Sequence, residues 1–185
     1  MPISTLDPKS ALILIDLQRG IVARPAAHPV AEILGRARAL ADAFRGRGLP
    51  VVLVNVAGAA PGRAENPRSL SGLPEGWAEL VPELIPQPED YRVTKRTWGA
   101  FRDTGLEALL RGLGVTQVVL GGISTSAGVE STGRQAHEAG FNVAFAVDAM
   151  TDMDAEAHHN SVTRIFPRVG ETGTSEAILA LLDRA

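Results

Sequence analysis

Two charged side chains stand where a sheet would deliver them to a ligand. Asp16 ends the uninterrupted apolar run at residues 11–15, and Lys95 ends the short stretch Tyr-Arg-Val-Thr at residues 91–94. A carboxylate beside an ammonium is held ionised by it, while burial pulls toward the neutral form, so the two can be tuned as an acid/base pair. A structural ion pair, or an aspartate that caps a helix, is the plainer reading of the same residues. Residues 121–128, Gly-Gly-Ile-Ser-Thr-Ser-Ala-Gly, lie between a strand and a helix, where backbone N–H groups can hold an anion or oxyanion. The glycines fit neither the dinucleotide fingerprint nor the P-loop, which argues against nucleotide binding. Residues 124–128 approach the G-x-S-x-G elbow, with Ser124 in place of the first glycine. Asp148 or Asp152, then His158 or His159, follow in the chain order of that serine triad, although hydroxyls in such a turn serve equally as caps.

Other groups carry weaker signals. Asp148, Asp152 and Asp154 could suggest a divalent cation, and His158 with His159 a zinc ion, but adjacent helical residues do not face one another and the spacing fits no coordination loop. No metal and no cofactor is therefore expected. Trp98 and Phe101, just after Lys95, could wall a pocket or belong to a core or interface.

The elements that must hold these residues are legible as an alternation. The apolar run at residues 11–15 reads as a strand buried on both faces, and residues 30–47 as an amphipathic helix closed by Gly46 and Gly48. Residues 51–54 form a second buried strand. Residues 57–88 lack a firm period, with at most one short helix around 77–84, and a loop of that length inside a domain is more often functional than idle. A strand at 91–95 follows, then a helix opened by a capping-box pattern of Thr104 and Glu107. A strand at 115–120, a helix to about Ala139, and a strand at 142–147 ending at Asp148 come next. A helix from about Asp154 that stops before Pro167 and a last helical stretch at 175–182 complete the chain. This order predicts a three-layer α/β/α fold in a single domain over residues 1–185, with a mainly parallel, about six-stranded, Rossmann-like sheet. Ligands of such sheets sit beyond the C-terminal strand ends, which points to Asp16, Asn55, Lys95, the 121–128 turn and Asp148.

Composition narrows the chemistry. The chain has 185 residues, 45% of them hydrophobic, with only two Trp, one Tyr and five Phe, so its core is aliphatic. A net charge of -3 without long blocks of either sign offers nothing to nucleic acid or to an anionic membrane. The N-terminal apolar run is too short for a signal segment or a membrane span, and a cytoplasmic location is expected. Cysteine is absent, so no disulfide, thiolate metal site or cysteine nucleophile is available.

Over nearly its whole length the chain resembles the isochorismatase-like hydrolases, also called the cysteine hydrolase superfamily. Ala-Leu-Ile-Leu-Ile-Asp-Leu-Gln at residues 11–18 looks like the family's opening strand with its catalytic aspartate, and Lys-Arg-Thr-Trp-Gly-Ala-Phe at 95–101 like its lysine segment. Residues 121–132, Gly-Gly-Ile-Ser-Thr-Ser-Ala-Gly-Val-Glu-Ser-Thr, look like the nucleophile turn, and Val147, Asp148 and Ala149 complete the set. The resemblance implies Asp16 as acid/base, Lys95 beside it, Gly128 where the family has its cysteine, and a cis peptide between Ile123 and Ser124. It places Gln18, Trp98, Phe101, Ile123, Ser124, Thr125, Ser126 and Ala127 around a small-molecule substrate. Val-Asn-Val-Ala at residues 54–57 departs from the Asp-x-His metal pair of the nicotinamidases.

Without the thiol, covalent acyl transfer to cysteine is closed, since glycine offers no nucleophile. Isochorismatases proper also carry glycine there, by the same resemblance, because hydrolysis of a vinyl ether starts with protonation of carbon and needs an acid. Two other readings stay open: an amidase or esterase using Ser124 or Ser126, and a non-catalytic binding member of the family. Arg19, Arg63, Arg68, Arg96 and Arg102 are candidates to meet a substrate carboxylate, and a homo-oligomer, a dimer or larger, is expected from the resemblance alone.

Overall fold

The first apolar run becomes β1 (Ser10–Ile15), buried along its whole length. The computed structural model describes residues 2–67 and 72–184, so Arg68 lies outside the described residues. β1 pairs in parallel with β2 (Val51–Val56) on one side and β4 (Gln117–Ile123) on the other. β3 (Tyr91–Lys95) extends the sheet beyond β2, while β5 (Asn142–Thr151) and β6 (Glu171–Gly173) extend it beyond β4. The sheet has six strands in the order β3-β2-β1-β4-β5-β6, all parallel. The direction of winding reverses between β1 and β4, and the C-terminal ends of these two strands therefore border the crevice where such sheets hold ligands.

Side chains alternate across this sheet and build two apolar layers. Leu12 and Leu14 of β1 face a cluster completed by α2 (Val30–Gly46) and α7 (Ser175–Leu182). Ala11, Ile13 and Ile15 face a second cluster with α3 (Leu106–Gly112), α4 (Glu130–Glu138) and α6 (Phe166–Val169). In α2 the buried residues Ile33, Leu34, Ala37, Leu40, Ala41 and Phe44 recur at helical spacing, and each large one stabilises the fold by about 1.5–3 kcal/mol on burial. On the opposite layer the rings of Phe145 and Phe166 stack with centroids 3.8 Å apart.

One crossover departs from the βαβ pattern. Between β2 and β3 the chain runs irregularly, and its only helical piece among the described residues is the 3₁₀ turn Pro82–Leu84, shorter than the expected helix at 77–84. Val81 and Leu84 are buried against α2, with Trp77 and Leu80 partly buried beside them, so this stretch anchors the excursion in place of a crossover helix.

Other boundaries differ from the sequence expectation for physical reasons. β5 continues to Thr151 because its pairing with β4 shifts between Leu120 and Gly122, so Asp148 lies inside the strand instead of at its end. Thr104 is not the helix cap: Gly105 occupies that position at φ 74°, and the Thr104 hydroxyl accepts from Leu106 N–H at 3.2 Å. The helical chain after Asp154 also continues past Pro167, through α5 (Ala155–Asn160), a π-helical turn Ser161–Ile165, and α6, whose second residue is that proline. β6 and the short α1 (Arg19–Val22) were not anticipated. Among the described residues no helix is long and apolar enough to cross a membrane.

Candidate active site

Asp16 leaves β1 at φ 51°, a left-handed conformation that aspartate tolerates better than most residues, with its N–H donating to Val54 O at 2.8 Å. This turn lifts its carboxylate to the end of the sheet. There Oδ2 lies 2.8 Å from Lys95 Nζ, with both side chains nearly sealed from solvent, at 6% and 2% exposure. Lys95 ends β3, two strands away, and its long stem carries the charge past the end of β2. Nζ also donates to Thr97 O at 3.3 Å. In a low-dielectric setting each charge would be costly alone, and the pair offsets that cost.

The third component comes from the end of β4. Gly122, at φ 121°, lets β4 approach Ile15 so closely that any Cβ there would run into the Ile15 backbone. The Ile123–Ser124 peptide is cis, and a π-helical turn, Thr125–Val129, leads into α4. This brings Gly128 against the ion pair. A Cβ built on Gly128 would lie 3.2 Å from Asp16 Oδ2, 3.5 Å from Lys95 Nζ and 2.9 Å from Ile15 Cγ2.

These residues border a cavity of about 470 Å³, also lined by Ile123, Ser124, Ala127, Thr97 and Trp98. Its outer wall is made by Ile21, Arg24, Val56 and parts of the 58–67 stretch, including Arg63 and Asn66. The structure thus gathers Asp16, Lys95, Trp98, Ile123, Ser124, Ala127 and Gly128. Gln18, Phe101, Thr125 and Ser126 fall outside the described lining. Gln18 is buried and ties two strand ends together, donating to Val56 O and Trp77 O and accepting from Val56 N–H. The ring of Phe101 sits 5.9 Å from that of Phe141, toward the α3 layer. Arg24 escaped sequence reasoning because no periodicity marks it, whereas the 58–67 wall, with Arg63, belongs to the long stretch the sequence singles out.

The hydroxyls of the turn have separate partners. Ser126 gives both its N–H and its Oγ–H to Asp152 Oδ2, at 2.7 and 2.8 Å. Thr125 is fully buried, its Oγ1 lying 2.8 Å from His158 Nδ1. The His158 ring meets that of His28 at a tilt of 59°, with centroids 4.6 Å apart. Burial holds His158 below the ordinary histidine range, helped by the nearby charge of His28 and opposed by Asp152. Ser126, Asp152 and His158 therefore form no relay toward the cavity. Asp148 caps α7 by accepting from the Ser175 N–H and Oγ–H, and Asp154 caps α5. Asn55 bridges Thr94 and Ala78 O. Among the described residues no three His, Asp or Glu are grouped so as to hold a metal ion.

Comparison with known proteins gives this arrangement its context. The isochorismatase domain model matches residues 10–177. An uncharacterised isochorismatase family protein of Bacillus subtilis, YwoC, is 42% identical over 181 residues, covering 92% of this chain and 93% of its own length. Its counterpart YecD of Escherichia coli O157:H7 is 42% identical over 182 residues, covering 94% of this chain and 96% of its own. The solved structure of an isochorismatase family protein from Burkholderia thailandensis superimposes with a TM-score of 0.92 at 39% identity, covering 97% of this chain and 98% of the other. With the domain match running from β1 into α7, and with relatives of similar length, the chain belongs to the isochorismatase family of hydrolases.

Proposed function

We propose that this hydrolase acts on a small molecule without a cysteine nucleophile, with Asp16 as general acid and base. The observation that carries the reading is the Asp16–Lys95 pair, 2.8 Å apart at the cavity floor and facing Gly128, whose missing side chain leaves space within reach of both charges. Gly128 stands where the family's usual thiol belongs, and the chain has no cysteine to replace it. Chemistry that begins with proton transfer suits these groups better than chemistry that begins with attack.

Hydrolysis of a vinyl ether illustrates the balance. Protonated Asp16 delivers its proton to the terminal methylene carbon, and the carbon–carbon double bond supplies the electron pair for the new C–H bond. The resulting oxocarbenium carbon is attacked by water in the space beside Gly128, and the proton lost from that water returns to Asp16. Collapse of the hemiketal breaks the carbon–oxygen bond, giving an alcohol and a ketone, which is pyruvate when the vinyl carbon bears a carboxylate. Lys95 polarises substrate oxygen and opposes the pull of burial on Asp16, so that the carboxyl can both give and regain its proton.

A serine-based amidase is the second reading, and Ser124 is the hydroxyl that favours it, since it lines the cavity while Ser126 and Thr125 are engaged elsewhere. Turnover across enol ethers, amides and ureas selects between the two. With an enol ether as substrate, Asp16→Asn abolishes turnover while the protein still folds, and a serine-directed phosphonate leaves the active enzyme unlabelled. Unchanged activity in Asp16→Asn overturns the proposal; labelling of wild type that is lost in Ser124→Ala establishes the alternative. The proposal further takes the chain as one domain over residues 1–185, working in the cytoplasm as a homo-oligomer, without nucleic-acid or membrane partners.

A further inference from the structure

Asp16, Lys95 and Gly128 stand on three separate segments, and one helix ties two of these together. Thr132 of α4 is fully buried, and its hydroxyl donates to Gly128 O at 2.6 Å. A threonine that bonds the carbonyl four residues back is ordinary in a helix. Here the same oxygen also accepts from the Ala100 N–H at 3.1 Å, in the loop that follows Lys95. One turn further along the same face of α4, Gln135 Oε1 accepts from the Phe101 N–H at 3.0 Å. Gly99 lies so close to Gln135 that a Cβ there would run into the side-chain amide. Earlier in the loop, Lys95 Nζ donates to Thr97 O at 3.3 Å, and the Thr97 hydroxyl donates to Gly99 O at 3.3 Å.

We infer that Thr132 is a positioning residue for the reaction, with Gln135 as its support. Its hydroxyl locks the loop after Lys95 to the Gly128 turn, and so sets where the ammonium lies relative to the space at Gly128. The inference rests on the proposed function, which makes that space the place of reaction. β3 fixes the Lys95 backbone, and Thr97 O directs its charged end. The loop that carries Thr97 is held to α4 at two successive N–H groups, and the first of these anchors is also bonded to Gly128. The turn that holds Gly128 has need of such an anchor. It is π-helical over Thr125–Val129, so its carbonyls do not follow the α-helical ladder of α4. A hydroxyl that touches no substrate thereby governs a geometry to which rate is steeply sensitive, since a misplacement of about 1 Å can cost on the order of a hundredfold.

Thr132→Val keeps the shape of the side chain and removes the hydroxyl, while Thr132→Ser keeps the hydroxyl. Carbon-13 NMR of Asp16 Cγ and Lys95 Cε reads the pair without substrate. Both resonances should move in Thr132→Val and return to their wild-type positions in Thr132→Ser, with Gln135→Leu giving a smaller displacement. With 2-phenoxyacrylate as the enol-ether probe and pyruvate release as the assay, Thr132→Val should lose roughly tenfold to a hundredfold in kcat, with KM within about twofold of wild type. Thr132→Ser should restore kcat. A merely structural threonine would lower the melting temperature and leave both resonances, and kcat of the folded fraction, where they were; that result overturns the inference. A loss that Thr132→Ser fails to repair overturns it as well. Should Thr132→Val not fold, Gln135→Leu, at a half-buried position, carries the same two readouts. If the wild type leaves the probe intact, it is the proposed function that fails for that probe, and the resonances alone decide the role of Thr132.

Discussion

Strand β3 carries a short ion pair at each end, and the two pairs are built differently. At its start, Asp90 meets Arg45 of α2 through two parallel bonds, Nε to Oδ1 at 3.0 Å and Nη2 to Oδ2 at 2.7 Å. The Gln87 N–H donates to the same carboxylate at 2.7 Å, and Arg45 also reaches Asp42. The hydrogen bond to Asp90 raises the Arg45 guanidinium further above its ordinary value, against burial. At the other end Lys95 meets Asp16 at 2.8 Å, but beside a cavity and a glycine. Both pairs are short, and Arg45 alone of the four side chains keeps partial contact with solvent. What separates them is what surrounds the charges: a fork-on-fork contact saturated by protein donors holds a helix to a strand, whereas a point-charge contact bordering space can meet a ligand.

The comparison predicts an asymmetry. Asp16→Asn should lower kcat/KM by roughly 10²–10⁴, the range for loss of a positioned acid, and should also lower the urea midpoint, since breaking a buried pair while one charge stays behind costs about 3–5 kcal/mol. Asp90→Asn should lower the midpoint by less, because Arg45 is partly exposed and keeps Asp42, and kcat/KM of the folded fraction stays at the wild-type value. Loss of activity in folded Asp90→Asn would erase the distinction between the two ends of β3.

Much of this distinction is legible in the sequence, for a physical reason. Continuous apolar runs mark strands buried on both faces, so the polar residue that ends such a run is carried to the end of the sheet, and Asp16 stands out on that ground, while Lys95 closes the mixed stretch Tyr-Arg-Val-Thr, legible as a strand by its β-forming residues. Local patterns say less where contacts come from afar. Gln18 is polar at a fully buried position because its partners, Val56 and Trp77, lie far along the chain. Thr125 and Ser126 sit in the turn that resembles a nucleophile elbow, yet their bonds go to His158 and Asp152 across a β5 longer than its apolar run suggests. β6, Glu-Thr-Gly at the sheet edge, has no apolar residue to announce it. Arg24 and Arg63 converge only because the excursion after β2 folds over the strand ends, and an aperiodic stretch gives no hint of where it goes.

A smaller effect probes the space itself. Gly128→Ala gains about 1 kcal/mol of helix propensity but sets a methyl 2.9 Å from Ile15 Cγ2, on a β-branched side chain that cannot easily rotate away. Overpacking of this kind costs about 1–3 kcal/mol, so a net loss of at most about 2 kcal/mol is expected, together with reduced turnover as the room beside Asp16 and Lys95 narrows. In an Ile15→Ala background the stability cost of the added methyl should vanish, a coupling that a double-mutant cycle measures. If turnover survives Gly128→Ala undiminished, the water of the proposed mechanism does not sit there.

The smallest effect is a difference in pH response between the two ends of the sheet. His158, behind the turn that holds Gly128, is kept below the ordinary value of 6.5 by burial first and by His28 next, while Asp152 pulls the other way and His159 adds a lesser push downward. The unfolded chain therefore takes up a proton at a pH where the folded chain resists it. Stability is fully present above the ordinary histidine range, falls as pH drops through it, and levels off once the folded state also protonates. His158→Gln removes this contribution, so its unfolding midpoint should vary less between about pH 7 and pH 5 than that of the wild type. The Arg45 end has no such group, and Arg45→Gln should lower the midpoint while leaving the slope with pH unchanged. A wild-type slope retained in His158→Gln would assign the pH response to another group and detach it from the turn that carries Gly128.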